Sequence, residues 1–424
     1  MIAKIDAVSY RCLRNVSQVL GNFHVLGGPN GSGKTAFLEV PYILGLFARD
    51  GLDAVWSATR ARAFEELTFC GGGTSFQLAV ESAIPQDLRR VFENGGGART
   101  YTHLRYEIDI GKEATAAPGW QPKILIENLW LMPRSEETPR KNIVQMEMDF
   151  PSLSRKDRRL THRQAPSGWR KVASKTANGN SYFRSETTDW NFQIRNPEAK
   201  SALSTLPEDE RFASANWFKW QLAENVQKIM LRSEHMQSPS SPLRGGQFAV
   251  DGSNLPQVVR ILQRDRAGYE GWIQHLRTVL PVEPIQVRER EEDRHLLVEI
   301  EYLGGLRVKS WHLSDGTLRL LALTLLAYLL DNSSIYLIEE PENGIHPQAI
   351  EAVFQSLSSV YDGQVLVATH SPVFVAQVQP EQLLCFSRGS DGATDIVRGD
   401  RHPRLRDWRG TLNLSHLYAA GILN

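Results

Sequence analysis

The feature that most constrains this chain is a glycine-rich loop that follows a predicted strand and precedes a predicted helix. Residues 23–26 are mainly apolar, residues 28–35 fit the pattern G-x-x-x-x-G-K-[ST], and a helical pattern continues to residue 46. In such a loop backbone N–H groups cradle phosphates, the lysine reaches the β and γ phosphates, and the Ser/Thr hydroxyl meets magnesium. The helix N-terminus also favours an anion. We therefore predict a nucleotide site made by Gly28, Pro29, Asn30, Gly31, Ser32, Gly33, Lys34 and Thr35.

A second apolar run, residues 335–338, ends in two adjacent carboxylates, Glu339 and Glu340. Phosphoryl transfer depends mainly on positioning and charge neutralisation, so an acid at a strand tip can support magnesium while the next one orients the attacking water. We assign the metal to Thr35 and Glu339, and the catalytic water to Glu340. The alternative is that these acids form a solvated turn, but a phosphate loop in the same chain favours the catalytic interpretation.

Two shorter motifs are less specific. Ser314, Asp315 and Gly316 precede an apolar helical run, where Ser314 can cap the helix, although capping turns of this kind are common in proteins without any ligand. His370 follows the buried strand predicted at residues 365–369, at the sheet edge where open α/β folds bind ligands. A lone histidine is usually structural, but this position favours a role in sensing the γ-phosphate.

Taken in order, GGPNGSGKT, LSDGT, IYLIEEPENGIHP and VLVATHSP resemble the ATP-binding-cassette (ABC) ATPases of the RecF, SMC and OLD type. The resemblance is to a compact bacterial AAA-domain group related to the overcoming-lysogenization-defect (OLD) proteins. It covers residues 1–50 and 248–385. It implies an α/β fold: a two-lobed head with a mixed, largely parallel core sheet, an antiparallel subsheet, and a helical lobe carrying an insertion.

The resemblance also implies ATP and Mg²⁺ as ligands and a homodimer or larger assembly as the active form. Ser314, Asp315 and Gly316 of one copy would close over the phosphate loop of another copy. His370 would be the switch histidine. Arg11 resembles the arginine that this group places near the nucleotide at the end of its first strand.

Two of the motifs depart from the family pattern, and both departures affect these expectations. The strand-tip pair is Glu-Glu where the wider family usually has Asp-Glu, which predicts an indirect metal contact and slow turnover. The signature reads SDGT where transporter subunits usually read SGGQ, which favours the DNA-associated branch. A glutamine of the Q-loop is hard to place, and Gln77 is one candidate. The chain after His370 is short for the Toprim nuclease domain of OLD nucleases, so we expect a separate effector protein.

Composition limits the partners and the location. The 48 basic residues balance the 48 acidic residues, so no overall field attracts polyanions, and DNA binding would need a local basic patch. Cys12, Cys70 and Cys385 lack paired spacing, which is simplest in a reducing compartment. The first residues do not form a secretory signal, and no apolar run is long enough to span a bilayer. We expect a cytoplasmic protein without a membrane partner.

The chain is predicted to divide into three parts. Residues 1–150 would form an ATPase lobe with the phosphate loop and antiparallel strands at 76–80, 102–110, 124–131 and 144–150. Residues 151–245 would be an insertion or helical region with a helix at 217–230. Residues 246–424 would complete the ATPase and end in a packed helix at 412–423.

Three functions stay open at this point. The first is an ATPase whose nucleotide-dependent dimerisation drives a DNA-associated or anti-phage defence process through a nuclease or toxin effector. The second is a RecF-like repair or chromosome-maintenance ATPase that binds DNA directly; its basic surface would comprise Arg155, Lys156, Arg158, Arg159, Arg163, Arg170 and Lys171, interleaved with Trp169, unless these are scattered charges of a solvated loop. The third is a module that holds ATP without hydrolysing it.

Overall fold

The structure is a computed structural model and describes residues 1–94, 100–114, 120–133, 159–329, 333–406, 418 and 421. The predicted strand at 144–150, the basic residues Arg155, Lys156 and Arg158, and most of the predicted helix at 412–423 lie outside these residues.

The described strands are β1 Ile2–Tyr10, β2 Leu13–Val19, β3 Phe23–Gly27, β4 Ser75–Ala83, β5 Tyr101–Ala114, β6 Trp120–Pro133, β7 Arg170–Thr176, β8 Asn180–Arg184, β9 Asn191–Arg195, β10 Val226–Ile229, β11 Val282–Glu289, β12 Leu296–Tyr302, β13 Arg307–Lys309, β14 Ile335–Glu339, β15 Gln364–Thr369, β16 Leu383–Arg388 and β17 Thr394–Arg398. The described α-helices are α1 Lys34–Asp50, α2 Leu52–Thr59, α3 Gln86–Asn94, α4 Ala213–Ala223, α5 Ser233–Gln237, α6 Leu255–Leu262, α7 Arg266–Arg277, α8 Asp315–Leu325, α9 Ile350–Ser358, α10 Pro372–Val375 and α11 Pro403–Arg406.

The centre of the fold is a largely parallel sheet. It connects the phosphate loop to the acid motif at Glu339 and Glu340 and to His370. In the described residues it has six strands in the order β10-β14-β15-β3-β16-β17. All neighbours are parallel except the last pair, β16 and β17. Because parallel strands end at the same edge, the residues that follow β3, β14 and β15 meet there. The predicted mixed, largely parallel core sheet is confirmed.

The central strands of this sheet, β14, β15 and β3, are largely apolar on both faces because each face has its own core. Along β3, Val25 packs in one hydrophobic cluster and Leu26 in the other, and the residues of β14 and β15 alternate in the same way. The cluster that contains Leu26 includes the buried side of α1, and the cluster that contains Val25 includes the buried sides of α8 and α9. Covering both faces is what makes a continuous apolar run suitable for a strand in a parallel sheet.

A second sheet is antiparallel and has the order β2-β1-β4-β5-β6-β7-β8-β9 within the described residues. It contains the strands predicted at 76–80, 102–110 and 124–131, which the structure confirms as β4, β5 and β6. The sequence did not indicate β7, β8 and β9. These strands lie in the segment predicted as an insertion, yet they extend the antiparallel sheet beyond β6. The three-part division of the chain stays a prediction.

The helix predicted at 217–230 is wrong in its second half. Helix α4 ends at Ala223, and residues 226–229 form β10, which pairs in parallel with β14. The apolar spacing that indicated one helical face is therefore shared between a helix and a strand. Trp220 and Met230, which the predicted helix includes, are each 48% exposed. Backbone pairing with the buried β14 outweighs the local helical pattern in this segment.

A small antiparallel sheet, β11-β12-β13, precedes the signature motif. Strands β12 and β13 form a hairpin, with Gly304 and Gly305 in the turn at φ values of 96° and 85°. Helix α8 begins shortly after β13. In the part of the chain that the structure describes, we find no helix that combines the length and the apolar character needed to cross a membrane.

Candidate active site at the edge of the parallel sheet

The phosphate loop connects β3 to α1 and is packed tightly at its last glycine. Gly33 has a φ of 104°, a conformation that side chains rarely adopt. A Cβ atom on Gly33 would lie 2.2 Å from Thr394 Oγ1 and 3.0 Å from Cys12 Sγ. The Thr394 hydroxyl also donates to the carbonyl of Ser32 at 2.9 Å, so the first residue of β17 holds the loop by a direct hydrogen bond. Only glycine satisfies both the backbone angle and the space at this position.

Lys34 is the first residue of α1, and its ammonium group lies over the loop. Its Nζ donates to the carbonyls of Gly28 at 2.6 Å and Pro29 at 2.9 Å. Burial lowers the pKa of Lys34, and the carboxylates of Glu340 and Glu339 oppose that shift. The Ser32 hydroxyl oxygen is buried and has no hydrogen-bond partner among the described residues. An ammonium group, an unused hydroxyl and a helix N-terminus thus lie together, as an anionic ligand requires.

The structure brings Thr35 and Glu339 together, the two residues predicted to hold the metal. The Thr35 hydroxyl donates to Glu339 Oε2 at 3.0 Å. Glu339 Oε1 accepts no hydrogen bond from the described residues, although Lys228 Nζ lies 2.8 Å away in an ion pair that is poorly aligned for one. Hydroxyl and carboxylate oxygens are the ligands that Mg²⁺ prefers, so these two residues fit that ion. The described residues contain no cluster of three or more His, Cys, Asp or Glu side chains arranged for a metal.

Glu340 and His370 also meet at this edge. Glu340 has a φ of 49°, which is uncommon for a residue with a side chain, and its N–H donates to Ala368 O at 2.7 Å. Glu340 Oε1 lies 3.2 Å from His370 Nδ1, and Glu340 Oε2 accepts from Asn343 Nδ2. The predicted water-orienting acid and the predicted switch histidine are therefore direct neighbours.

Glu342 was not singled out by the sequence, yet it links the acid motif to the strand before His370. Its Oε1 accepts from the Thr369 hydroxyl at 2.5 Å, while its Oε2 is buried without a partner among the described residues. Burial raises the pKa of Glu342. The Thr369 hydroxyl in turn accepts from Ser371 N–H at 2.9 Å. These contacts fix the segments on both sides of His370.

The signature residues lie on the surface at the start of α8. Ser314 accepts from Thr317 N–H at 3.3 Å, which caps the helix as predicted. Ser314 and Asp315 are exposed. A Cβ atom on Gly316 would lie 2.4 Å from Gly344 O, so this glycine lets α8 approach the turn after the acid motif. Among the described contacts, none joins these three residues to the phosphate loop of the same chain.

Arg11 and Gln77 are placed away from the roles considered for them. Arg11 pairs with Glu39 of α1 at 3.0 Å and donates to the Tyr10 hydroxyl at 3.0 Å, so it braces the outer side of the helix that follows the phosphate loop. Gln77 is buried in the antiparallel sheet, where it donates to Asp109 Oδ2 at 2.8 Å and accepts from Leu160 N–H at 2.7 Å. These partners occupy its carboxamide group. The nucleotide role of Arg11 and the Q-loop role of Gln77 stay predictions without support from these contacts.

Of the four described basic residues of the predicted patch, Arg170 and Lys171 have partners inside the fold, whereas Arg159 and Arg163 are exposed. Arg170 donates to the carbonyls of Ser185 and Thr188, and burial lowers its pKa. Lys171 Nζ lies 4.7 Å from the centre of the Trp130 ring, and burial lowers its pKa as well. Trp169 packs against Trp130, with 6.1 Å between ring centres. Arg170, Lys171 and Trp169 already have partners that a bound nucleic acid would have to replace.

Tyr418 is a site residue that the sequence did not indicate. The N–H of Gly28 donates to the Tyr418 hydroxyl oxygen at 2.9 Å, and the hydroxyl donates to Gly28 O at 2.9 Å. The same hydroxyl lies 3.4 Å from Thr369 O, so it connects the ends of β3 and β15. Burial raises the pKa of Tyr418, which keeps the hydroxyl protonated as a donor. A tyrosine 390 positions after the loop carries no sequence signal for this contact.

Replacing Tyr418 by phenylalanine should weaken nucleotide binding without unfolding the chain. The variant keeps the ring but leaves the N–H and C=O of Gly28 without their partner, a cost of about 1–3 kcal/mol. If half of that cost falls on the bound conformation of the loop, the Kd for a fluorescent ATP analogue rises several-fold. The matched control is Tyr361→Phe, since Tyr361 is 78% exposed. Unchanged affinity in Tyr418→Phe would show that the hydroxyl does not position the loop.

Comparison with known proteins gives a family and a fold. The family model described as "AAA domain, putative AbiEii toxin, Type IV TA system" matches residues 155–376, just over half of the chain. A segment of 98 residues is 33% identical to protein ea59 of Escherichia phage lambda, and it spans 22% of this chain and 18% of that protein. The chain thus covers less than a fifth of the length of this curated relative.

Solved structures extend the comparison to nearly the whole chain. The SMC head described as "Crystal structure of the SmcHead bound to the C-winged helix domain of ScpA" superposes with a TM-score of 0.54. The alignment covers 93% of this chain and 97% of that one, at 12% sequence identity. At that identity the likeness establishes the fold alone. The predicted ABC-ATPase-like head is confirmed.

Proposed function

Because this chain belongs to the AAA-domain ATPase family that matches residues 155–376, we propose that it binds and hydrolyses ATP between two copies of itself. The observation that carries this proposal is the convergence at one sheet edge. Lys34 lies over the phosphate loop, Thr35 contacts Glu339, and Glu340 contacts His370. These are the groups that phosphoryl transfer needs for charge neutralisation and for orienting water.

Each of these residues has a definite task in the proposed reaction. Lys34 would exchange the carbonyls of Gly28 and Pro29 for phosphate oxygens, and Thr35 and Glu339 would hold Mg²⁺, which neutralises charge on the phosphates. Glu340 would accept a hydrogen bond from the attacking water and align it with the γ-phosphorus. His370, at 3.2 Å from Glu340, would hydrogen-bond the γ-phosphate or that water. Because His370 directly follows β15, this contact would couple the presence of the γ-phosphate to the position of that strand.

The second copy is proposed because the signature residues face outward. Ser314 and Asp315 are exposed at the N-terminus of an 11-residue helix, whose first N–H groups favour an anion. The γ-phosphate of a nucleotide held in the phosphate loop of another copy is the natural ligand for this surface in a symmetric dimer. Closure of the dimer upon ATP binding and its opening after hydrolysis would then give two states that expose different surfaces.

We further propose that these two states act on a separate effector protein such as a nuclease or a toxin, in an anti-phage or DNA-associated process. The family description names a toxin and a type IV toxin–antitoxin system. The SMC head of similar fold was solved bound to the winged-helix domain of ScpA. A head that passes its nucleotide state to another protein is consistent with both. The chain is expected to act in the cytoplasm.

Mixing two inactive variants tests whether the site is shared between copies. Lys34→Ala should disable the phosphate loop, and Ser314→Arg should block the signature surface, so neither variant alone should hydrolyse ATP. A mixed dimer combines both defects at one site and leaves the other site intact. Random pairing should therefore restore about a quarter of wild-type phosphate release.

The same experiment separates the remaining alternatives. If the mixture stays inactive while wild type hydrolyses ATP and dimerises, the site is not completed by Ser314 of a partner. If wild type neither hydrolyses ATP nor changes mass with ATP, a module that only holds nucleotide is the better description. Turnover that requires double-stranded DNA would favour a DNA-binding ATPase of the RecF kind.

A further inference from the structure

We propose that Lys228 is a built-in counter-ion of Glu339 that competes with the metal and so sets how much Mg²⁺ the site requires. This inference rests on the proposed function, because it concerns the carboxylate assigned to Mg²⁺. Lys228 belongs to β10, the strand that the sequence predicted as part of a helix, and it lies opposite Leu337 of β14. Its Nζ is 2.8 Å from Glu339 Oε1.

The two oxygens of Glu339 have different partners. Oε2 accepts from the Thr35 hydroxyl, whereas Oε1 has only the Lys228 ammonium group beside it among the described residues. The Glu339 and Lys228 side chains are 32% and 17% exposed, so water screens their charges incompletely. The next residue, Glu340, adds a second negative charge. A cation at this place compensates a carboxylate that would otherwise be costly to bury.

A metal ion held by Thr35 and Glu339 would share that carboxylate with the ammonium group. Two cations on one carboxylate repel each other. The lysine therefore weakens binding of the metal, and the metal weakens the contact between Lys228 and Glu339 by the same factor. Lys228 is therefore a positioning residue that acts through Glu339.

The Lys228 side chain has room to leave Glu339 when a metal binds. It lines a cavity of about 380 Å³ that also contains Arg232, Arg319, Glu339 and Glu340. Arg232 is exposed and Arg319 is partly exposed, and neither has an ion-pair partner among the described residues. A released ammonium group can move along this open cavity toward solvent. The pair is then a contact that binding of Mg²⁺ and ATP would break.

The first test is metal dependence of binding, read without turnover. A fluorescent ATP analogue is held at fixed concentration with Lys228→Met protein, and Mg²⁺ is titrated until half of the binding change is reached. We expect the Mg²⁺ midpoint to fall by about five-fold or more, the lower end of ordinary coupling between two ligands. Lys219→Met is the matched control, since this lysine on α4 contacts Ser204 O instead. An unchanged or higher midpoint would overturn the competition.

The second test needs no nucleotide. Thermal unfolding in EDTA is measured for wild type, Lys228→Met, Glu339→Gln and the double variant. Loss of the counter-ion should lower the Tm of Lys228→Met, and removing the charge of Glu339 should recover that loss, so the two effects should be non-additive. Additive changes would overturn the ion pair itself. If wild type binds no nucleotide with or without Mg²⁺, the proposed function fails, while this cycle still decides whether Lys228 and Glu339 are coupled.

Discussion

Replacing Glu340 by glutamine should stop ATP turnover while leaving ATP bound, so that an ATP-dependent dimer accumulates. Glutamine has the size of glutamate but lacks the negatively charged carboxylate that polarises the attacking water and can accept its proton. Removal of a positioned general base typically lowers a rate by about 10²–10⁴. Phosphate release and the molecular mass of the protein with ATP, measured side by side, check both halves of this expectation.

The geometry explains why this exchange should spare binding. The Glu340 backbone N–H donates to Ala368 O, and this contact does not involve the side chain. The carboxylate contacts Asn343 and His370, which lie beside the phosphate loop and are not part of it. Glu208→Gln is the matched control, because Glu208 is exposed on the surface. Turnover within about ten-fold of wild type in Glu340→Gln would remove Glu340 from the role of base.

The parts of the site that the sequence predicted are those encoded by short contiguous segments. A functional residue that directly follows a buried strand can be placed from the sequence, because the carboxyl ends of parallel strands lie at the same edge of the sheet. This rule predicts Lys34, Glu339 and His370 at the same edge. The helical cap at Ser314 is equally local, since the hydroxyl and its N–H partner are three residues apart.

The parts that were missed depend on contacts between distant segments. Residues 226–229 continue the apolar spacing of α4, and only pairing with β14 makes them a strand. Lys228 approaches Glu339 through that pairing. Thr394 supports Ser32 across 362 positions of the chain, and Tyr418 binds Gly28 across 390. A threonine or tyrosine near the end of a chain has many uses, so no local pattern distinguishes these two.

Lys34 combines a local motif with a contact that the fold supplies. Its Nζ donates to two carbonyls of the phosphate loop, and burial lowers its pKa while the nearby carboxylates of Glu339 and Glu340 favour the charged form. A charged donor that is already placed at the loop needs little rearrangement to reach phosphate oxygens. Lys34 also begins α1, where alanine is the best helix former, so its replacement should leave the helix intact.

Lys34→Ala should therefore fold normally but lose nucleotide binding and ATP-dependent dimerisation together. Losing charge-assisted hydrogen bonds to phosphate at about 1.5–3 kcal/mol each predicts a Kd for a fluorescent ATP analogue that is higher by on the order of 100-fold. The Tm without nucleotide should match that of Lys200→Ala, a control on an exposed lysine. If Lys34→Ala bound ATP as wild type does, the anion would have to be held by the backbone N–H groups alone, and an ATP-dependent dimer could still form. If it failed to dimerise although it bound ATP, Lys34 would act in closure and not in capture, which places the switch between open and closed states at the phosphate loop itself.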